Sequence, residues 1–158
     1  MIELFREAHA LQQFMTERGW PFCFIGGVAL LARFPGRRPD ARAFALRHRV
    51  LLLSTPAGVG VDVALGAVAF ERDMIARAIE VEFEPGVALR ICSAEDLLVL
   101  KAFADRLQDR ADVEGIARRR GRQLDWDAVE TRLTPLVEPK GEPGILEAVR
   151  ALREQYAC

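Results

Sequence analysis

Cysteine is scarce in this chain: three residues, at 23, 92 and 158, with no Cys-x-x-Cys pair. An odd and scattered set excludes a disulfide framework and offers no zinc-ligand spacing. It fits a reducing compartment, so a cytoplasmic location is the expectation. Cys23 and Cys92 sit inside apolar runs and read as small core residues. Histidine is scarcer still. His9 and His48 have no nucleophile and acid spaced around them, so neither a Ser-His-Asp nor a Cys-His centre can be read. Long apolar runs are missing too. The longest, Phe22 to Ala32, has 11 residues and contains Gly26-Gly27; a membrane span needs about 20. Glu3, Arg6 and Glu7 precede any apolar run, which argues against a secretory signal. Charge of one sign is absent: 22 basic residues face 23 acidic ones, for a net charge of −1. That disfavours a generally basic nucleic-acid binder but leaves room for a local basic patch. Lysine occurs only at 101 and 140 against 20 arginines, a bias of composition that makes Lys101 stand out.

What is present is ordinary globular composition: 158 residues, 51% hydrophobic and 28% charged. One domain is expected over 1–158, and a chain this long buries about 70% of its unfolded surface. Residues 3–18 place Leu4, Phe5, Ala8, Leu11, Phe14 and Met15 on one helical stripe, stopped by Gly19. Pro21 opens a short strand, Phe22 to Ile25. Gly26-Gly27 then turns the chain into a short helix over Val28–Arg33. Residues 35–42 (PGRRPDAR) read as a basic loop. A long strand is expected over Ala43–Thr55, turned by Pro56-Ala57-Gly58 into a returning strand, Val59–Leu65. Phe70–Ala78 reads as a helix, and Val81–Phe83 and Val87–Cys92 as strands around Pro85-Gly86. Ser93 caps a helix running to about Asp105, with Asp96 three residues on. Helices over Asp109–Arg120, Asp125–Val137 and Glu142–Tyr156 follow. The order predicts an α+β fold, with a small mixed sheet flanked by helices over 1–92 and a helical part over 93–158.

Three constellations could carry chemistry. Gly26-Gly27, between strand and helix, lets backbone approach a ligand and offers N–H groups to phosphate; a tight turn without ligand is the commoner use. Asp62 is the only acid in the strand GVGVDVALG, on the face opposite Val61 and Val63. A carboxylate there is costly unless it is paired, exposed on the sheet face or bound to a cation, and a solvent-facing residue is the ordinary reading. In SAEDLLVLKAFADRLQDRADV, Lys101 lies at the edge of the apolar stripe, where it can reach a phosphate as a point charge. Asp109 and Asp112 follow near the start of the next helix, where capping is the ordinary role. The run Arg118-Arg119-Arg120 with Arg122 sits at a helix C-terminus, where the dipole favours cations; a solvated end is the simpler reading.

These segments together resemble the minimal nucleotidyltransferases, a bacterial family that includes the AbiEii-type toxins. The resemblance rests on Ile25-Gly26-Gly27-Val28-Ala29, Val61-Asp62-Val63, and Ala94-Glu95-Asp96-Leu97-Leu98 with Lys101, then Arg106, Asp109 and Asp112, and covers roughly 1–138. It implies a nucleotidyltransferase-like fold that moves a nucleotide from an NTP to a protein or RNA acceptor with Mg²⁺ or Mn²⁺, in a toxin–antitoxin setting. Gly26, Gly27 and Lys101 would hold the NTP, Asp62 and Asp40 would be metal ligands, and Asp109 would orient or activate the acceptor. The family's Asp-x-Asp pair is missing or degenerate here. By spacing, Asp40-Ala41-Arg42 falls near its place with arginine second; alternatively, a segment between Leu30 and Leu31 is gone together with both acids. Metal stabilisation of transition-state charge is worth several kcal/mol, so weak or absent transferase activity is expected. The alternative is a non-catalytic nucleotide- or protein-binding module. An unfilled sheet edge would also allow a dimer or an antitoxin-like partner.

Overall fold

A computed structural model describes residues 2–23, 36–54, 58, 60–66 and 68–158. The fold is α+β, and the chain forms two compact units, Met1–Cys92 and Ser93–Cys158. Among the described residues no helix is long and apolar enough to cross a membrane.

The first unit holds α1 (Ile2–Glu17), α2 (Ala41–His48), β1 (Val50–Ser54), β2 (Gly60–Ala64), α3 (Ala69–Arg77), β3 (Ile79–Glu84) and β4 (Val87–Ile91). Its described strands form two antiparallel pairs, β1–β2 and β3–β4, rather than the expected single mixed sheet. The stripe of α1 covers both. Ala8 and Leu11 are buried with Leu53 of β1 and Leu89 of β4, and Phe14, Met15, Leu51, Val63 and Ile91 pack around them. Burying each such leucine contributes roughly 1.5–3 kcal/mol. Gly19, at φ +65°, ends the helix in the left-handed turn that glycine adopts without steric cost. The Gln12 side chain then closes the outer edge of β4. Its amide donates to Ala88 O at 3.0 Å, and its carbonyl accepts from Arg90 N at 2.7 Å, as a neighbouring strand would. Edge groups that could recruit another chain are thereby satisfied.

The long strand expected over Ala43–Thr55 is wrong in its first half. Ala41–His48 is helical, and the strand begins only at Val50. Ala43, Ala45, Leu46 and Arg47 are strong helix formers, and β-branched residues come only later. Arg49 separates the two elements in a left-handed conformation, φ 57°, with its N–H bonded to Ala45 O at 2.8 Å. The 35–42 loop is correspondingly shorter, since α2 starts at Ala41. Phe22 and Cys23 lie in no strand, and Cys23 is only half-buried. The remainder of that expected strand, the Gly26-Gly27 turn and the helix over Val28–Arg33 lie outside the described residues.

The second unit is helical: α4 (Ala94–Ala104), α5 (Leu107–Arg120), α6 (Trp126–Val137) and α7 (Pro143–Tyr156). Ser93 caps α4 by accepting from Asp96 N at 3.1 Å, and Asp125 caps α6 by accepting from Ala128 N at 2.9 Å. Asp105, at φ 51°, ends α4 and turns the chain into α5. Leu98, Val99, Ala117, Val129, Leu133 and Val149 form the centre of the core, each at most 1% exposed. The short 3-10 turn Gly121–Gln123 leads into α6, and its Gly121 O accepts from the buried Trp126 Nε1 at 2.8 Å.

Candidate functional site

In the first unit the register of β1 and β2 pairs Leu52 with Asp62, Val50 with Ala64 and Ser54 with Gly60. Directly paired residues point to one face, so Asp62 shares a face with Gly60 and Ala64. Leu51, Leu53 and Val63 lie on the other face, which packs against α1. Asp62 therefore faces away from the core, its side chain 64% exposed. It is not alone there. Gly36 bridges to Leu53, and Arg37 N donates to Leu52 O at 3.0 Å, which lays this segment beside β1. The Arg37 side chain crosses to β2 and its guanidinium binds the Asp62 carboxylate. A Cβ on Gly60 would come within 2.7 Å of that guanidinium, so the glycine two residues before Asp62 leaves the space it occupies. Asp40 precedes α2 and is bound by Arg38 through Nε at 2.8 Å and Nη2 at 3.2 Å. Its carboxyl is held below the usual carboxylate range by that hydrogen bond.

Lys101 and Asp109 belong to the second unit and meet directly. Lys101 Nζ donates to Asp109 Oδ1 at 2.9 Å and lies 2.8 Å from Asp112 Oδ2. The Arg106 guanidinium binds Asp109 from the other side. The Asp109 side chain is 1% exposed against 26% for Lys101. Asp109 thus fixes the α4–α5 elbow from the first turn of α5 instead of capping it: the cap position is Arg106, whose side chain makes no capping bond. Arg106 holds the Asp109 carboxyl below its ordinary value, with Lys101 adding to the effect against the opposing cost of burial. Asp112 and Asp109 together raise the Lys101 amine. Beside them Asp105 accepts from Arg110 at 2.7 and 2.8 Å, tying the same elbow.

Two features had no sequence signal. Asp96, which read as a capping residue, is fully buried and accepts from Arg132 of α6 at 3.1 Å. The partner lies 36 residues away, and nothing local in either helix announces it. The second is a cavity of about 600 Å³ beside α5 and α7, floored by Ala102, Val113, Ile145, Val149 and Leu152. Glu114, Glu142 and the Asp105–Arg110 pair stand at its rim. Small residues on α7 make the room: a Cβ on Gly144 would meet no atom within 4 Å.

The resemblance calls for two divalent cations held by clustered carboxylates. Among the described residues no group of three or more His, Cys, Asp or Glu side chains could hold a metal ion. Asp62 and Asp40 each carry an arginine partner. These donors do not fit a two-cation centre. Comparison with protein-family models and with curated proteins gives no match for this chain.

Proposed function

We propose that this chain is a binding module on a nucleotidyltransferase-like scaffold, without metal-dependent nucleotidyl transfer of its own. The observation that carries the proposal is the guanidinium of Arg37 on Asp62, seated over Gly60 on the face where a cation would have to bind. A metal ion there would have to displace a positive charge and would then find one exposed carboxylate, whereas triphosphate chemistry needs several. The lysine that would meet the phosphates is itself neutralised by Asp109 and Asp112. The apolar cavity beside α5 and α7 supports a protein as the bound partner. Its floor accepts apolar side chains, and the acidic Glu114 and Glu142 favour a segment with basic flanks, as in helix-in-groove recognition.

Calorimetric titration with each NTP, with and without Mg²⁺, beside Asp62→Asn, tests the proposal. The expected result is no metal-dependent heat for either protein. Mg²⁺-dependent binding that disappears in Asp62→Asn would overturn it and restore the transferase reading, with Asp62 as a metal ligand, Asp109 as the acceptor-activating acid, and RNA and protein hydroxyls as acceptors to be searched.

A further inference from the structure

Four arginines crowd one end of the second unit: Arg118, Arg119 and Arg120 in the last turn of α5, and Arg122 in the 3-10 turn after it. All four are exposed. With Gln123, Gln155, Tyr156 and Cys158 they line an open hollow of about 380 Å³ that holds no Asp or Glu side chain.

The helix dipole accounts for cations at this end but not for the accumulation. A helix C-terminus carries about half a negative charge, so the ends of α5 and α7 offset only part of the charge of four guanidiniums. Scarcity of acids is not the reason, since residues 93–158 hold thirteen acids against eleven bases. The other seven basic residues of this unit each form an ion pair with one of those acids. Among the described residues Arg118, Arg119 and Arg120 form none, and Arg122 donates to Cys158 O. The acids are placed elsewhere, and the positive charge is left concentrated around a concavity.

That concavity has a fixed frame. Gly121 packs so closely on α7 that an added Cβ would lie 2.4 Å from Tyr156 O. The Trp126 indole holds the Gly121 carbonyl from below at 2.8 Å. Arg122 Nε donates to Cys158 O at 2.6 Å, holding the residues after α7 against the same rim. The arginines therefore extend from immobilised backbone, which lowers the entropic cost of gathering them on a ligand.

We propose that this hollow binds a small oligophosphate anion. Guanidinium forks match phosphate oxygens in pairs, and several converging arginines suit an anion with two or more phosphate groups. A nucleic-acid backbone needs a basic track along its length. Here the unpaired cations end within five residues, which favours the small ligand. The site shares no residue with those that the family resemblance assigns to an NTP, and the proposal does not rest on that resemblance.

Calorimetry with sodium tripolyphosphate, orthophosphate and a single-stranded RNA 12-mer tests it, using the full chain and two variants that each remove one positive charge. Arg120→Gln takes it from the quartet, and Arg150→Gln takes it from an arginine already paired with Glu130. Tripolyphosphate should bind at one site per chain and more tightly than orthophosphate. Arg120→Gln should weaken it roughly tenfold, as the loss of one charge-assisted contact does; Arg150→Gln should not. Equal weakening by both variants would reduce the effect to net charge and overturn the proposal. So would silence with tripolyphosphate, or binding of the RNA alone.

Discussion

At the scale of single residues, the same chemical pair behaves differently according to burial. Asp62 and Arg37 are exposed by 64% and 37%, and an exposed ion pair contributes about 0–1 kcal/mol. Asp62→Asn should therefore change stability by no more than about 0.5 kcal/mol. Lys101 faces a carboxylate that is 1% exposed. Removing it leaves Asp109 with Arg106 alone, itself 76% exposed. Lys101→Met should cost about 1–3 kcal/mol. Urea unfolding of the two variants side by side checks the contrast. A cost for Asp62→Asn as large as that for Lys101→Met would show that the Arg37 pair is more buried in solution than its exposure states. The contrast also keeps Asp62→Asn usable as a functional probe, because a binding defect could not be blamed on unfolding.

At the scale of elements, Ser93 offers a clean prediction. Its hydroxyl is the N-cap acceptor of α4, so Ser93→Ala should lower stability by about 1 kcal/mol, read as a shift of the denaturant midpoint without a change of slope. This cap was legible in the sequence because the signal is local: serine, then an acid three residues on, then an apolar stripe. The same holds for α1, α3, the β3–β4 hairpin and the last three helices, whose signals lie within a turn or two, although of those three helices only α6 has a side-chain cap. The α2–β1 boundary was not legible. The break depends on Arg49 entering a left-handed conformation that non-glycine residues seldom adopt, and its side chain has non-local support: Nη2 donates to Leu65 O at 2.6 Å and to Glu71 at 3.1 Å. For the candidate site, the sequence singled out Asp62, Asp40, Lys101 and Asp109, with Gly26 and Gly27 outside the described residues. It could not show that Arg37 reaches across β1 to Asp62, a pairing 25 residues apart. The Lys101–Asp109 contact spans only eight residues, yet depends on the angle of the α4–α5 elbow. Alternation along β2 did separate the Asp62 face from the core face, because a period of two survives whatever packs against it.

At the scale of the whole chain, acid and base should act on the second unit through opposite groups. Arg110 lowers Asp105, Arg106 lowers Asp109, and Arg150 and Arg153 lower Glu130. Lowered carboxylates stabilise the folded state above their unfolded values near pH 4, and that contribution disappears as the pH falls through the lowered folded values. Lys101 is raised. Its contribution is complete below about pH 10 and disappears as the pH climbs through the raised folded value. Circular dichroism of the helical signal across pH should show a plateau between these limits and a loss at each end. In Lys101→Met the alkaline loss should shrink, while the acid loss remains through Asp105 and Glu130. An unchanged alkaline limb would mean that the Lys101 contacts contribute nothing to the folded state.

The clasp between α1 and β4 also sets a timetable. Gln12 finds its partner 78 residues later in the chain, at Arg90. At about 5–20 residues per second of synthesis, that partner emerges roughly 4–16 seconds after the helix. Until then α1 can pack only on β1 and β2, and the part of its stripe that meets Leu89 and Ile91 stays uncovered in a newly made chain. Within residues 93–158 the most distant ion pair, Asp96 with Arg132, joins positions 36 apart, less than half that separation. The packing of α1 is thus completed only once β4 has been made, well after the helix itself.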